Sequence, residues 1–292
     1  MLNQNLAAII VNRNGGELVL SCLDSLVRGS VVPGLIYLID NASEDGSAET
    51  AARRFPQVTL LRHQANLGYA AALNRGLQKA CEKQPGLVLL MNNDVIVEHD
   101  AVGRLVERWH ANAGLLGPKV LLLDDPNKLD AAWGKIRFHH VVCTMIGEGD
   151  LDSETYSHAR RVDALLGCML LTHCSVLKQV GMLDTDYFMY MEEIDLAYRI
   201  GKTGKEILFV PEARARHAGG HAWKNQDRGR LKTHYVRRNA IVFLRKHGTP
   251  LRWCKFSLFA CASLLSCLLS FRWNDLKVRW NGYREGFKVR LT

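Results

Sequence analysis

The stretch "GLVLLMNND", residues 86–94, is apolar as far as Met91 and then turns polar without a spacer. A short apolar run of this kind is typical of a strand buried on both faces of a parallel sheet. Two amides and a carboxylate follow it directly, namely Asn92, Asn93 and Asp94. The stretch therefore predicts a buried strand whose carboxyl end carries polar ligands.

Three earlier segments repeat this pattern, each separated from the next by a helical stretch: residues 6–12, 34–41 and 58–63. Strand alternating with helix four times predicts an α/β fold with a mostly parallel sheet and helices on both faces. Ligands of such sheets bind beyond the carboxyl ends of the strands. The polar residues expected to meet at that rim are Asn12, Asp40, Asn41, Asn66, Asn92, Asn93 and Asp94.

Composition limits the class of protein. A chain of 292 residues, 48% hydrophobic, suits one large α/β domain with an appendage. The first residues lack a basic segment followed by a long apolar one, so we expect a cytoplasmic protein. Without any CxxC pair, the cysteines are expected to be reduced thiols and not a zinc site or disulfide framework. They are Cys22, Cys81, Cys143, Cys168, Cys174, Cys254, Cys261 and Cys267.

The C-terminal part differs in charge from the rest. Residues 224–292 carry 16 Lys and Arg against 3 Asp and Glu, a net of +13 in a chain of net +9. We therefore predict two regions, an α/β domain over 1–223 and a basic, amphipathic helical region over 224–292. Such asymmetry indicates an anionic partner: phospholipid head groups, nucleic acid or a phosphorylated substrate.

Within that region, residues 256–271 form an uncharged run. Sixteen residues fall short of the roughly 20 that span a bilayer. Arg and Lys flank the run, and Trp and Tyr follow it, which favours a helix lying on an anionic membrane surface. The alternative is a helix packed on the α/β domain or on a second subunit.

Another unusual stretch is "FMYMEEIDLAYRIGKTG", residues 188–204, where Glu192, Glu193 and Asp195 lie among apolar residues. Burial and like charge should raise the pKa of a carboxyl there toward neutrality, as a general base requires. Asp195 is expected to stay ionised by pairing with Arg199 four residues on. The alternative is a solvated helix start, where acidic residues are favoured by the helix dipole.

Taken in chain order, these segments resemble the inverting glycosyltransferase family two, and in particular its bacterial rhamnosyltransferase-like branch. The resemblance implies a GT-A fold and covers residues 6–221 without a break in order. Its segments are residues 9–26, 38–47, 66–77, 89–95, 167–184, 190–204 and 207–220.

The resemblance implies a nucleotide-sugar donor on the strand rim, with Asn12 near the nucleobase and Asp40 on the base or ribose. The D-x-D metal motif of the family falls on residues 92–94, where its first acid is an amide. Asp94 is then the carboxylate that contacts Mg²⁺ or Mn²⁺, and His217 closes the metal site. The donor-binding residues implied are Asn12, Asp40, Asn66, Asn74, Asn92 and Asn93.

The E-D-x-D-L motif of the family falls on residues 192–196, and its catalytic base falls on Glu193, where Asp is commoner. Glu192 and Asp195 complete the implied catalytic group. The expected reaction is inverting transfer of a sugar, with rhamnose as first candidate, from a dTDP or UDP donor. The expected acceptor is a hydroxyl of a glycan or lipid-linked molecule in cell-surface polysaccharide synthesis.

Other expectations concern location and partners. We expect a peripheral protein at the inner face of the cell membrane, with a homodimer among its assemblies. His221 and Trp223, after two glycines, are expected in a mobile loop closing over the donor.

Several alternatives stay open. A nucleotidyl- or phosphoryl-handling enzyme would need a Gly-rich phosphate loop with lysine, which the sequence lacks. A non-catalytic nucleic-acid-binding protein fits the pI of about 9.2, but no recognition motif occurs, so no nucleic-acid partner is expected. A non-catalytic membrane-binding protein, or a degenerate inactive transferase with Asn92 and Glu193 at motif positions, completes the set.

Overall fold

The computed structural model of the protein describes residues 1–83, 86–219 and 226–292, with the backbone alone for residues 226–228. Twelve strands lie within these ranges. They are β1 (Leu2–Asn12), β2 (Val32–Asp40), β3 (Val58–Arg62), β4 (Leu87–Asn92), β5 (Val95–Val97), β6 (Ala113–Leu122), β7 (Leu129–Ala131), β8 (Trp133–Ile136), β9 (Cys143–Ile146), β10 (Arg160–Arg161), β11 (Met169–His173) and β12 (Glu206–His217).

The described helices up to residue 202 lie between strands along the chain, and the last three follow β12. They are α1 (Gly16–Val27), α2 (Ser47–Arg54), α3 (Tyr69–Glu82), α4 (Ala101–Glu107), α5 (Cys174–Val180), α6 (Glu192–Lys202), α7 (Gln226–His247), α8 (Pro250–Leu269) and α9 (Trp273–Lys288).

The central sheet has the order β10-β12-β6-β11-β4-β1-β2-β3, with β5 paired to β12 and β7 to β6. The pairs of β1 with β2 and β4, of β2 with β3, and of β6 with β12 are parallel. Strand β11 runs antiparallel between β4 and β6. Strands β8 and β9 form a separate hairpin. The predicted α/β architecture with a mostly parallel sheet is confirmed.

Helices cover both faces of this sheet. Ile9 and Ile10 are neighbours on β1, point to opposite faces and are both fully buried. Ile9 packs in a core shared with Leu77 of α3 and Phe243 of α7, whereas Ile10 packs in a second core with Leu23 of α1. Helix α7 thus contributes to the main core, although it belongs to the predicted C-terminal region. The boundary at 223/224 lies outside the described residues and stays a prediction.

The C-terminal helices pack closely on one another. Gly282 and Gly286 lie one turn apart on α9 against α7, and a Cβ added to Gly282 would lie 2.5 Å from the carbonyl oxygen of His234. Any larger side chain at position 282 would push the two helices apart.

Helix α8 is longer than the uncharged run suggests, because Pro250 starts it and the Thr249 hydroxyl accepts a bond from the Arg252 N–H at 3.4 Å. At 20 residues it is long and apolar enough to cross a membrane by length and composition alone. One face is buried through Phe256, Ala260 and Cys267. The other face is exposed, and its apolar members are Leu251, Leu258, Cys261, Leu265, Leu268 and Leu269.

The expectation of eight reduced cysteines is wrong for one pair. Cys81 near the end of α3 and Cys174 at the start of α5 form a disulfide across 93 residues of sequence. The other six cysteines are free. The pair has no local spacing signal, because α3 and α5 approach each other only in the folded chain.

Candidate active site

The carboxyl ends of the first strands form the predicted polar rim. The register pairs Asn12 with Asp40 and Val11 with Asn92. A cavity of about 200 Å³ opens there, lined by Val11, Arg13, Asn41, Asn66, Gly68, Tyr69, Asn92, Asn93, Asp94, Phe188 and Met189. A larger cavity of about 530 Å³ lies near the far end of α6, beside Tyr198, Lys202 and Arg252. The smaller cavity is the candidate site, because Asn66, Asn92, Asn93 and Asp94 line it. The other predicted site residues are not among its lining residues: Asn12, Asp40, Asn74, Glu192, Glu193, Asp195 and His217.

Asn12 links several residues of the rim through hydrogen bonds. It is fully buried, and its Nδ2 donates to the hydroxyls of Ser47 at 3.0 Å and Ser43 at 3.2 Å. Its Oδ1 accepts from Nδ2 of Asn93 at 2.7 Å. Both polar ends of the amide are thereby occupied, so Asn12 fixes the orientation of Asn93. Asp40 is 5% exposed, and its Oδ1 accepts from the Ser43 N–H at 3.2 Å.

Asn66 shapes the loop that enters α3. Its Oδ1 accepts from Nδ2 of Asn41 at 2.9 Å and from the N–H of Gly68 at 3.0 Å. Arg13, which sequence reasoning missed, donates from Nη1 to the carbonyls of Asn41 and Ala42, both at 2.9 Å. Its cationic side chain therefore borders the cavity where an anionic ligand would enter.

Asn74 lies away from the cavity lining. Its Nδ2 donates to the Leu183 carbonyl at 2.7 Å, and its Oδ1 accepts from the Leu183 N–H at 3.0 Å. These bonds tie α3 to the segment before α6. Contact between Asn74 and a donor stays a prediction.

Asp94 and His217 meet as predicted, and Asp130 joins them. Nε2 of His217 lies 3.1 Å from Oδ1 of Asp94, and Nδ1 lies 2.6 Å from Oδ2 of Asp130. Burial lowers the pKa of His217, but the two carboxylates outweigh that effect and raise its pKa to about 10. Nδ2 of Asn92 lies 3.5 Å from the same Nε2. Asp130 was missed because β7 lies in a stretch without clear periodicity.

This group fits a divalent cation that is completed by its substrate. Among the described residues, no set of three or more His, Cys, Asp or Glu side chains is arranged to hold a metal ion by itself. Mg²⁺ is usually held by one or two carboxylates, with substrate phosphates and water filling the remaining positions. In such a site Asp94 would supply an oxygen ligand with His217 beside it, and Asp130 would orient the imidazole as outer carboxylates do in metal sites. These roles stay predictions.

The two neighbouring glutamates at the start of α6 differ from surface acids. Glu192 is 5% exposed and Glu193 is partly buried. One carboxylate oxygen of each, Oε2, is buried without a hydrogen-bond partner. Burial raises the pKa of Glu193 to about 7, against the lowering effect of backbone N–H groups at the helix start. Burial and the Glu193 charge hold the pKa of Glu192 well above its ordinary value.

The two residues directly before these glutamates form a strained turn. Tyr190 and Met191 have φ values of 65° and 71°, a left-handed conformation that costs non-glycine residues about 1–3 kcal/mol each. Asn239 of α7, fully buried, donates from Nδ2 to the carbonyls of Met189 at 2.8 Å and Tyr190 at 2.7 Å. Asn239 is thus a positioning residue, and it escaped sequence reasoning because α7 reads as a surface helix.

Asp195 occupies a different environment from Glu193. It is fully buried; Oδ2 accepts from Nε of Arg199 at 2.6 Å, and Oδ1 lies 2.7 Å from Nε2 of His247. The predicted pairing with Arg199 is present. Burial alone would raise the pKa of Asp195, but the His247 bond and the Arg199 charge lower it. His221 and Trp223, expected in a closing loop, lie outside the described residues.

Two solved structures share this architecture. Mannosyltransferase PcManGT from Pyrobaculum calidifontis, in complex with GDP-Man and Mn²⁺, aligns with a TM-score of 0.57 at 15% identity, covering 97% of this chain and 87% of that one. GalNAc-T7 with UDP, GalNAc and Mn²⁺ aligns with a TM-score of 0.59 at 17% identity, covering 73% and 43%. The fold is therefore the GT-A fold of glycosyltransferases.

Sequence comparison agrees with this class. The model of "Glycosyltransferase like family 2" matches residues 4–235, and the chain belongs to that family. N-acetylglucosaminyl-diphospho-decaprenol L-rhamnosyltransferase of Mycobacterium tuberculosis (strain ATCC 25618 / H37Rv) is 30% identical over 299 residues, covering 91% of this chain and 94% of that protein. The chain is thus a rhamnosyltransferase-like glycosyltransferase, and the family identified from its motifs is confirmed.

Proposed function

We propose that this glycosyltransferase moves rhamnose from a dTDP donor to a hydroxyl of a lipid-linked glycan, with inversion at the anomeric carbon. The name of the mycobacterial relative supports both the sugar and a lipid-diphosphate acceptor. The observation that carries the chemistry is Glu193, a partly buried carboxylate at the start of α6 with one oxygen unpartnered and its pKa raised to about 7. Such a group is suited to exchange a proton near neutral pH.

In this mechanism Glu193 takes the proton from the acceptor hydroxyl as the hydroxyl oxygen attacks the anomeric carbon. The bond from that carbon to the diphosphate breaks on the opposite face, and the nucleoside diphosphate leaves. One base and one displacement give inversion. Burial and the Glu193 charge disfavour the ionised form of Glu192 and raise its pKa, so we assign the base to Glu193.

Asp94 and His217 are the residues that would hold a divalent cation, and His217 would have to release a proton in order to coordinate as the neutral imidazole. When bound, the cation supplies positive charge to the departing diphosphate. The chain contributes the orientation of that site through Asp130 and His217, and Arg13 supplies a second cation at the cavity edge. The Mn²⁺ in the two solved structures with this fold supports the same class of ion.

The decisive experiment is a donor screen with a polyprenyl-diphosphate-linked glycan acceptor, with and without Mg²⁺ or Mn²⁺. We expect release of dTDP from dTDP-rhamnose and a product whose anomeric configuration, measured by NMR, is opposite to that of the donor. A product with retained configuration would contradict the single-base mechanism. Transfer from a UDP-sugar in preference to dTDP-rhamnose would replace the proposed donor.

We also propose that the protein works at the inner membrane surface with α8 resting on the lipid. The exposed face of α8 includes Leu258, 70% exposed, and Leu265, 52% exposed, while its opposite face packs on the protein. Arg252 near the start of α8 donates to Tyr198 Oη at 2.7 Å, which fastens the helix beside α6. A helix held along one side favours lying on a bilayer over crossing it.

Vesicle sedimentation of the full-length protein tests this placement. Leu258→Ser combined with Leu265→Ser should reduce the fraction bound to phosphatidylglycerol vesicles several-fold. Leu151→Ser, at a residue 64% exposed on the catalytic domain, is the matched control and should change nothing. Equal binding by all three proteins, with a dimer in analytical ultracentrifugation that the double substitution dissociates, would assign the face to a second copy of the chain.

A further inference from the structure

A second concentration of charge lies where the loop joining β8 to β9 meets the C-terminal helices. Arg237 of α7 is 7% exposed, and its Nη1 donates to the carbonyl of His140 in that loop. The same carbonyl accepts from Oη of Tyr283 at 3.2 Å, and the Arg237 guanidinium lies 5.9 Å from the Tyr283 ring centre. Among the described residues, the partners of this buried guanidinium are thus neutral groups.

Arg279 of α9 adds a second guanidinium. Its Nη1 donates to the hydroxyl of Ser263 and, at 3.3 Å, to the Ser263 carbonyl. Nε of Arg237 and Nε of Arg279 are both buried without a hydrogen-bond partner. Burial and the charges of Arg237 and Arg279 lower the pKa of His140 to about 4, as a strongly positive surrounding requires. We call the two arginines, Arg237 and Arg279, together with the neutral His140 beside them, the cationic cluster.

No described carboxylate forms an ion pair with either arginine of the cluster, although ion pairs engage many other arginines of the chain. An uncompensated buried charge is expensive, because the guanidinium loses its hydration without gaining a counter-charge. An anion that occupies the cluster would remove this cost. Guanidinium groups bind phosphate through paired, charge-assisted hydrogen bonds.

The surroundings of the cluster indicate what carries that anion. Arg279 and His140 are part-exposed, so they form its open side. Burial lowers the pKa of His139, the neighbour of His140, and exposed Lys255 of α8 is close enough for its charge to lower that pKa further. His139 stacks on Phe259 of α8, with ring centres 4.2 Å apart. The exposed apolar face of α8 thus begins next to the cluster. A ligand that combines phosphate with an apolar tail matches both features.

We propose that the cationic cluster binds the phosphate group of a membrane lipid whose chains contact the exposed face of α8. This inference rests on the proposed membrane placement and adds a defined head-group site to it. It involves no residue of the strand rim. The site converts diffuse attraction between a basic region and an anionic leaflet into a contact made by particular side chains.

The test compares two arginines on α9 in the full-length protein. Arg279→Gln removes a cluster cation, and Arg284→Gln removes an exposed arginine of the same helix. Vesicles of phosphatidylcholine with phosphatidic acid are the probe, and pure phosphatidylcholine vesicles are the reference. Losing any one cation near an anionic surface weakens binding up to about fivefold. Losing a cluster cation should weaken it by about tenfold or more, and Arg279→Lys should recover part of the loss.

Equal losses for Arg279→Gln and Arg284→Gln would overturn the proposal and leave only diffuse attraction. Inorganic phosphate, at concentrations matched to the lipid, should raise the melting temperature of the wild type less than phosphatidic acid vesicles do. Equal protection by the free ion would overturn the assignment to a lipid. Metal-dependent nucleotide binding, measured on Arg279→Gln, should match the wild type. The lipid site and the transferase activity can therefore fail independently.

Discussion

The start of α6 and the cationic cluster are two regions in which a buried polar atom has no hydrogen-bond partner among the described residues. The atoms are Oε2 of Glu192 and Glu193 at the start of α6, and Nε of Arg237 and Arg279 at the cluster. Asp195, two residues from Glu193 on the same helix, has both oxygens bonded. We therefore expect the fully bonded carboxylate to serve stability, and the side chains with an unpartnered atom to meet a proton or a ligand.

The largest effect expected from this contrast is on catalysis. Glu193→Gln should lower turnover by roughly two to four powers of ten, because the amide cannot accept the acceptor's proton. Nucleotide binding should persist. Glu192→Gln is the matched control and should retain most activity, since burial and the Glu193 charge raise the pKa of Glu192 and disfavour its ionised form. A dead Glu192→Gln beside an active Glu193→Gln would assign the base one residue earlier.

The compensated carboxylate should affect stability instead. Asp195→Asn leaves Arg199 and His247 without their buried counter-charge and should lower the free energy of unfolding by about 3–5 kcal/mol. Urea unfolding measures the change. Asp275→Asn, at an exposed acid 3.7 Å from Arg272, should shift it by less than about 0.5 kcal/mol. A stable but inactive Asp195→Asn protein would contradict the contrast and give Asp195 a chemical role.

A substitution of Asp130 should have a smaller effect, because Asp130 contacts the proposed metal site only through His217. Asp130→Asn should weaken metal-dependent nucleotide binding by about 10–100-fold, as loss of an outer carboxylate does at metal sites. Calorimetry with and without EDTA measures this, and nucleotide binding without metal should not change. Asp150→Asn is the control, because Asp150 accepts a hydrogen bond from Oη of Tyr156 and, unlike Asp94 and Asp130, is not paired with His217. A loss of the same size without metal would mean that Asp130 supports the fold of the rim.

The pH profile tests the same base without any substitution. The base is active when deprotonated, and its pKa is raised from 4.5 to about 7. The rate should therefore fall about tenfold for each pH unit below 7 and level off above it. The same shift makes the Glu193 contribution to stability decrease as pH rises from 4.5 through 7. A rate that stays level down to pH 5 would indicate a base with an ordinary pKa.

Sequence reasoning reached the parts of this molecule that local pattern determines. The apolar strands ending in Asn12, Asp40 and Asn92 indicated the sheet and its rim, because strand ends of one parallel sheet meet on one side. The helical spacing of Asp195 and Arg199 indicated their pairing. The family resemblance supplied the roles, since the residue types alone favoured ordinary turns.

The rest depends on contacts between distant segments. Asp130 reaches His217 across 87 residues, because β7 pairs with β6 and β12 pairs with β6 on its other side. Asn239 supports the strained turn from a helix that reads as surface, and Cys81 meets Cys174 only after α3 and α5 pack. The cationic cluster likewise joins α7, α9 and the loop after β8, which no periodicity connects.

The bonds from α6 to the junction of α7 and α8 have a mechanical consequence. Asp195 is bonded to His247 and Tyr198 to Arg252, on either side of that junction, and Glu193 rides on the same helix. If α8 lies on the bilayer as proposed, these bonds hold Glu193 at a fixed height above the lipid surface. We then expect a preference for acceptors whose reacting hydroxyl lies at a matching distance from their lipid anchor.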